Sequence, residues 1–176
     1  MKQPDPKLGS RLVIGAIAGF AGTLVMTAAM RRMHRKLPAK DRYPLTPREI
    51  VDSTAELARG APLSSETAKD ATTIGHFLYG AASGAALGAA NIMMGPIPGG
   101  IAGSGIWLAS YLGWIPGVGI LKPATRHPAR RNALMIVSHV VWGAATALAM
   151  RELAAARETI FADGPDRDAP AKKKKS

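Results

Sequence analysis

The chain has 176 residues, with 23 Lys or Arg against 12 Asp or Glu, a net charge of +11 and no cysteine. That excludes a disulfide framework, thiolate metal sites and thiol chemistry, and the length favours one domain. The positive charge does not point to nucleic acid: basic residues crowd the ends of apolar segments without interleaved aromatics, as membrane topology and anionic headgroups require.

Residues 1–10 are polar, and Pro4 and Pro6 argue against an early helix. The stretch 12–30 is apolar except for Thr23 and Thr27, long enough for a membrane crossing. A cleaved signal peptide is the alternative, with Lys2, Lys7 and Arg11 as its basic start. The nineteen-residue length and the Arg31-Arg32 stop favour a retained helix. Gly15, Gly19, Thr23 and Thr27 recur every fourth residue and make one small face for a neighbouring helix.

A polar loop follows. Within it Thr46-Pro47-Arg48-Glu49 reads as a helix start, with a capping Thr, Pro in the first turn and Glu closing a capping box. That helix, 47–59, ends at Gly60 and has a weak apolar face suited to a membrane surface or to packing on the loop.

From 71 to 121 there is no charged residue, which suits two crossings and a turn, 72–94 and 99–121. Gly80, Gly84 and Gly88 form an extended GxxxGxxxG, a close-packing signal. His76, Tyr79, Ser83 and Asn91 are the polar groups of the first of these crossings. Pro116, Gly103, Gly105, Gly113, Gly117 and Gly119 in the second predict a break from helix after Trp114, at the interface or as a re-entrant piece. A basic loop, 122–132, carries Arg126, Arg130 and Arg131 as candidates for lipid or partner headgroups, and 133–150 is the fourth crossing. Residues 159–176, with Gly164, Pro165, Pro170 and four lysines, read as a disordered basic tail.

The expected fold is therefore all-α and polytopic: four transmembrane helices over 1–158 with a surface helix in the first loop. Loops 31–71 and 122–132 carry nine and four Lys or Arg and the turn between crossings two and three none, which places both loops in the cytoplasm.

His139 is the first candidate for chemistry, because ionisable groups at membrane depth often mark proton or substrate paths. His76 and Asn91 join it as a candidate intramembrane polar site, although a neutral His bonded to a neighbouring helix is the commoner explanation of such positions. No HxxxH or HxxE spacing and no carboxylate at membrane depth is present, so no metal, cofactor or catalytic set is assigned and an enzyme is not expected.

Two stretches, Tyr43-Pro44-Leu45-Thr46-Pro47-Arg48-Glu49-Ile50 and Tyr111-Leu112-Gly113-Trp114 through Thr125-Arg126-His127-Pro128 to His139 and Trp142-Gly143, resemble the YagU-like bacterial inner-membrane proteins. The resemblance implies a multi-pass inner-membrane location and lends no activity. Two functions are compatible with these residues. One is a structural or accessory subunit that associates with itself or with other membrane subunits through the faces Gly15/Gly19, Gly80/Gly84/Gly88 and Gly99/Gly103. The other is an oligomeric channel or transporter for protons or a small solute, built on His139, His76, Asn91 and the break near Pro116.

Overall fold

The computed structural model describes residues 7–39, 42, 46–90 and 95–162, and these are helical throughout their ordered elements, with no strand among them. Helix α1 spans Leu8–Arg35, α2 Thr46–Arg59, α3 Ser65–Ala89, α4 Pro96–Leu108, α5 Ile115–Gly117 and α6 Ala129–Glu158. Between α4 and α5 the backbone stays coiled up to a kink at Gly113. It widens into a π-helical turn over Ala109–Trp114.

Local chemistry explains these ends. Ser64 caps α3 by accepting the Thr67 amide at 3.3 Å, so α3 begins ahead of residue 72 and brings the segment from Ser65 into the same helix. α2 carries Pro47 in its first turn and an Arg48–Asp52 ion pair at 2.8 Å one turn apart. It stops at Gly60, whose φ of 68° only glycine adopts without strain. Pro96 and Pro98 start α4, where missing amides cost nothing.

The break in the third long segment falls earlier than Trp114. Gly113 has non-helical backbone angles, φ −111° and ψ −106°, inside the π turn. Pro116 sits harmlessly in the first turn of α5, and the chain then turns away at Gly119, φ 77°. The π turn carries Ser110, Tyr111 and Trp114, and Ser110 and Tyr111 continue the buried row of Gly103 and Trp107.

The four long elements alternate in direction and stand in the order α3, α1, α6, α4. Backbone contacts fix that order. Gly15 and Gly19 meet Gly84 and Gly80 across α1 and α3, and Gly99 and Gly103 meet Gly143 across α4 and α6. Gly22 of α1 lies against Thr146 and the Trp142 carbonyl of α6. α3 and α4 stand at the two ends of this row and are not packed on each other. Both basic loops consequently lie at one end, where α2 packs on α3.

The helices bury small residues and a core of Met26, Met30, Trp107, Ile115, Leu134, Met135 and Trp142, and they leave many large apolar side chains exposed. The buried face of α1 is Gly15, Ala18, Gly19, Gly22, Thr23, Met26 and Met30. Its Val13, Ile17, Phe20 and Leu24 are exposed, as are Ile74 and Leu78 on α3, Ile97 and Ile101 on α4, and Val137 and Val140 on α6.

Two helices, α1 and α6, are long and apolar enough to cross a membrane, where the sequence led us to expect four. The other two fall short for identifiable reasons. The Gly, Ser, Thr and His content of α3 dilutes its hydropathy, and regular α-helix in α4 ends after 13 residues at the π turn.

Candidate functional site

A cavity of about 220 Å³ lies between α3 on one side and α4 with its π turn on the other. α1 and α6 form its floor through Thr23, Met26, Met135, His139 and Trp142. α2 closes its basic end with Pro47, Ile50 and Val51. The cavity exists because the outer helices do not meet. They are tied by a single 2.7 Å hydrogen bond between Tyr79 and Ser110, beside a Tyr79–Trp114 ring contact at 6.3 Å. Tyr79 and Trp114 are both more than 40 % exposed, which makes this tie the outer wall of the cavity.

His76 of α3 and His139 of the α6 floor, two of the candidates for an intramembrane polar site, both line the cavity. Asn91, the third, lies outside the described residues. None of the lining residues is Asp, Glu, Lys or Arg.

The hydrogen bonds define both imidazoles. His139 Nδ1 lies 2.8 Å from the Met135 carbonyl, which can only accept, so in the neutral ring Nδ1 carries the proton and Nε2 the lone pair. His76 Nε2 lies 3.2 Å from Thr27 Oγ1. The Thr27 hydroxyl already donates to the Thr23 carbonyl at 2.8 Å, so it accepts from His76, whose Nδ1 then holds the lone pair. Deeper in the bundle Thr23 donates to the Gly19 carbonyl at 2.8 Å and accepts from Trp142 Nε1 at 3.1 Å.

Trp142→Phe removes this donor and, phenyl being smaller than indole, leaves a small void. The expected loss is about 1–3 kcal/mol, seen as a fall in melting temperature in detergent. A clearly larger loss would mean that Trp142 acts mainly through packing.

The glycines singled out for packing are all used within the chain. Gly15, Gly19, Gly80 and Gly84 interlock, and Gly88 lies against the Arg11 carbonyl. Their rows are therefore internal seams and not free faces for a second copy.

The basic loop behaves differently from expectation at one residue. Arg126 and Arg130 are on the surface. Arg131, expected at lipid or partner headgroups, is buried, with its side chain 9 % exposed. It forms a bidentate ion pair with Glu49 of α2, at 3.2 Å from Nη1 to Oε1 and with Nη2 against Oε2. Nη2 also donates to Thr46 Oγ1 at 3.3 Å, and Nη1 lies 3.1 Å from His127 Nδ1. Tyr111 shares a hydrogen bond with Thr46, which joins this cluster to the cavity. Thr46 and Glu49 thus serve α6 as well as the start of their own helix.

Sequence reading missed Tyr79, Ser110, Tyr111 and Trp142 as cavity residues. Ser110 and Tyr111 continue the buried row of Gly103 and Trp107 into the π turn, and that spacing was the signal that could have found them. The Glu49–Arg131 pair spans 82 positions and leaves no local trace. Comparison with protein families, with characterised proteins and with solved structures finds no match.

Proposed function

We propose that the chain is a four-crossing protein of a bacterial inner membrane whose bundle holds a small solute, in the manner of a carrier. The cavity that brings His76 and His139 together at the centre of the bundle carries this reading. The exposed Leu, Ile, Val and Phe side chains supply the membrane part. They form a belt on all four long elements while Gly, Thr, Ser and His turn inward, which suits hydrocarbon outside the bundle and not water. The run through α4, the π turn and α5, kinked at Gly113, covers residues 96–117, about the number of residues that one crossing needs. The YagU-like resemblance adds the inner-membrane location, and the shared end of the two basic loops faces the cytoplasm. Arg126 and Arg130 suit headgroups there.

Two other readings are less well supported. The accessory-subunit reading drew on free small-residue faces, and the glycines that made them are spent on internal seams. A proton path needs groups that can both receive and release a proton. Thr27, Thr23 and Ser110 each donate to a backbone carbonyl, so these chains end without an onward relay. With no carboxylate and no nucleophile–base–acid set at the cavity, its role is binding and not catalysis.

Gly75 gives the test. It lines the cavity, and a Cβ there meets nothing within 4 Å, so Gly75→Phe fills the space without moving the backbone. The protein, extracted gently from its own membrane, should show a retained small molecule by native mass spectrometry, and Gly75→Phe should lose it. A wild-type protein that retains nothing, or a Gly75→Phe variant that retains it equally, overturns the proposal.

A further inference from the structure

The cavity is short of hydrogen-bond donors, and this limits what it can hold. Around the imidazoles nearly every lining donor is already committed. Thr23 donates to the Gly19 carbonyl, Thr72 to the Ala68 carbonyl at 2.6 Å and Ser110 to the Ile106 carbonyl at 2.8 Å. Because the Ser110 proton is spent, Tyr79 must donate its own proton to Ser110. The Trp142 N–H goes to Thr23 and Gly19, the His139 Nδ1–H to Met135 and the His76 Nε2–H to Thr27. On the imidazoles and Tyr79 what remains unused is acceptor capacity: Nδ1 of His76, Nε2 of His139 and a lone pair on Tyr79. The other lining donors are the Ser83 hydroxyl, the Trp114 N–H at the exposed outer wall and the Tyr111 hydroxyl beside Thr46. Ser83 stands seven residues along α3 from His76, about 10 Å up the helix axis.

We infer that the ligand is a neutral planar molecule that brings its own hydroxyl donors, the ring of a phenol or quinol, held between His76 and His139. The inference rests on the carrier reading above and specifies its solute. A molecule with only acceptors would face the lone pairs of the two imidazoles and leave its own polar atoms there unpaired, which is unfavourable where water is displaced. A cation would satisfy the lone pairs, but the lining carries no carboxylate, and an uncompensated buried charge is costly. Size agrees: an apolar cavity of about 150 Å³ takes up benzene, and this one, at about 220 Å³, leaves room for two ring hydroxyls. Tyr79, Trp114 and Trp142 supply aromatic faces for the ring.

The test uses the full chain in lipid nanodiscs and three probes of nearly the same shape, each titrated without oxygen by calorimetry. Hydroquinone carries two donors, whereas 1,4-benzoquinone and 1,4-dimethoxybenzene carry none. Hydroquinone should bind at least tenfold more tightly than either of the others, and His139→Leu should remove most of that preference. Because the comparison is between ligands on one protein, it does not depend on a variant folding. Equal affinity for all three overturns the donor requirement and leaves the solute site standing. Preference for benzoquinone overturns it as well. If none binds, the inference falls, and the site falls with it only where native mass spectrometry also finds nothing retained.

Discussion

Gly84→Val should separate α1 from α3 and lower the melting temperature by about 6–12 °C. A Cβ at this position would strike the Gly15 carbonyl oxygen and come within 2.7 Å of Gly19 Cα and 2.9 Å of Gly19 N. All of these are backbone atoms, so no rotamer change relieves the clash. Overpacking costs about 1–3 kcal/mol in cores where neighbours can shift, and each kcal/mol is worth about 2–4 °C in a chain of this size. The upper end applies here because the seam is backbone against backbone. Gly75→Val is the control: it sits on the same helix, with nothing within 4 Å of the added carbon, and should melt close to wild type. Circular dichroism in detergent reads both. A Gly84→Val protein within 2 °C of the control would mean that α1 and α3 do not meet along this row.

That seam was the most legible part of the molecule. A glycine every fourth residue encodes close helix approach through its own spacing, and Gly15, Gly19, Gly80 and Gly84 lie at such spacing in the sequence. What the spacing cannot encode is the partner. The same rows would serve a dimer, and only the fold shows that α1 and α3 use them on each other. The small residues that allow this close approach also weaken the hydropathy of α3, so a helix held by a close seam carries one of the weaker membrane signals.

His76 and His139 were visible as costly residues in apolar stretches, but their meeting depended on the order α3, α1, α6, α4. The remaining cavity residues were less legible for a different reason. Ser110 and Tyr111 continue the inward row of Gly103 and Trp107, but they do so through a π turn and a non-helical Gly113 whose geometry the glycine-rich sequence does not specify. A stretch dense in glycine announces irregularity without giving its phase. The cavity therefore depends on the one segment whose geometry the sequence leaves open.

Glu49→Leu should be the most damaging single change at the basic end, and more so than Arg131→Met. Arg131 is held by both carboxylate oxygens of Glu49, by Thr46 Oγ1 and by His127 Nδ1. His127 is itself set for this role, because its Nε2 lies 2.9 Å from the Lys122 carbonyl and so carries the proton, leaving Nδ1 to accept from Arg131. With its partner gone, a guanidinium that is 9 % exposed keeps its charge in a closed site, and stranding a buried charge costs about 3–5 kcal/mol. The reverse change is milder, because the Glu49 side chain is 28 % exposed and can turn to water. The double variant Glu49→Leu with Arg131→Met replaces the pair by apolar contact and should recover most of the loss. The damage should also be local. The pair joins α2 to α6, and α2 covers the end of the cavity through Pro47, Ile50 and Val51. Hydrogen exchange should therefore quicken in α2 in Glu49→Leu while the long helices keep their protection, and slow again in the double variant. If the two single losses were equal and simply added in the double variant, the pair would be a surface contact, and α2 would owe its place to its packing on α3.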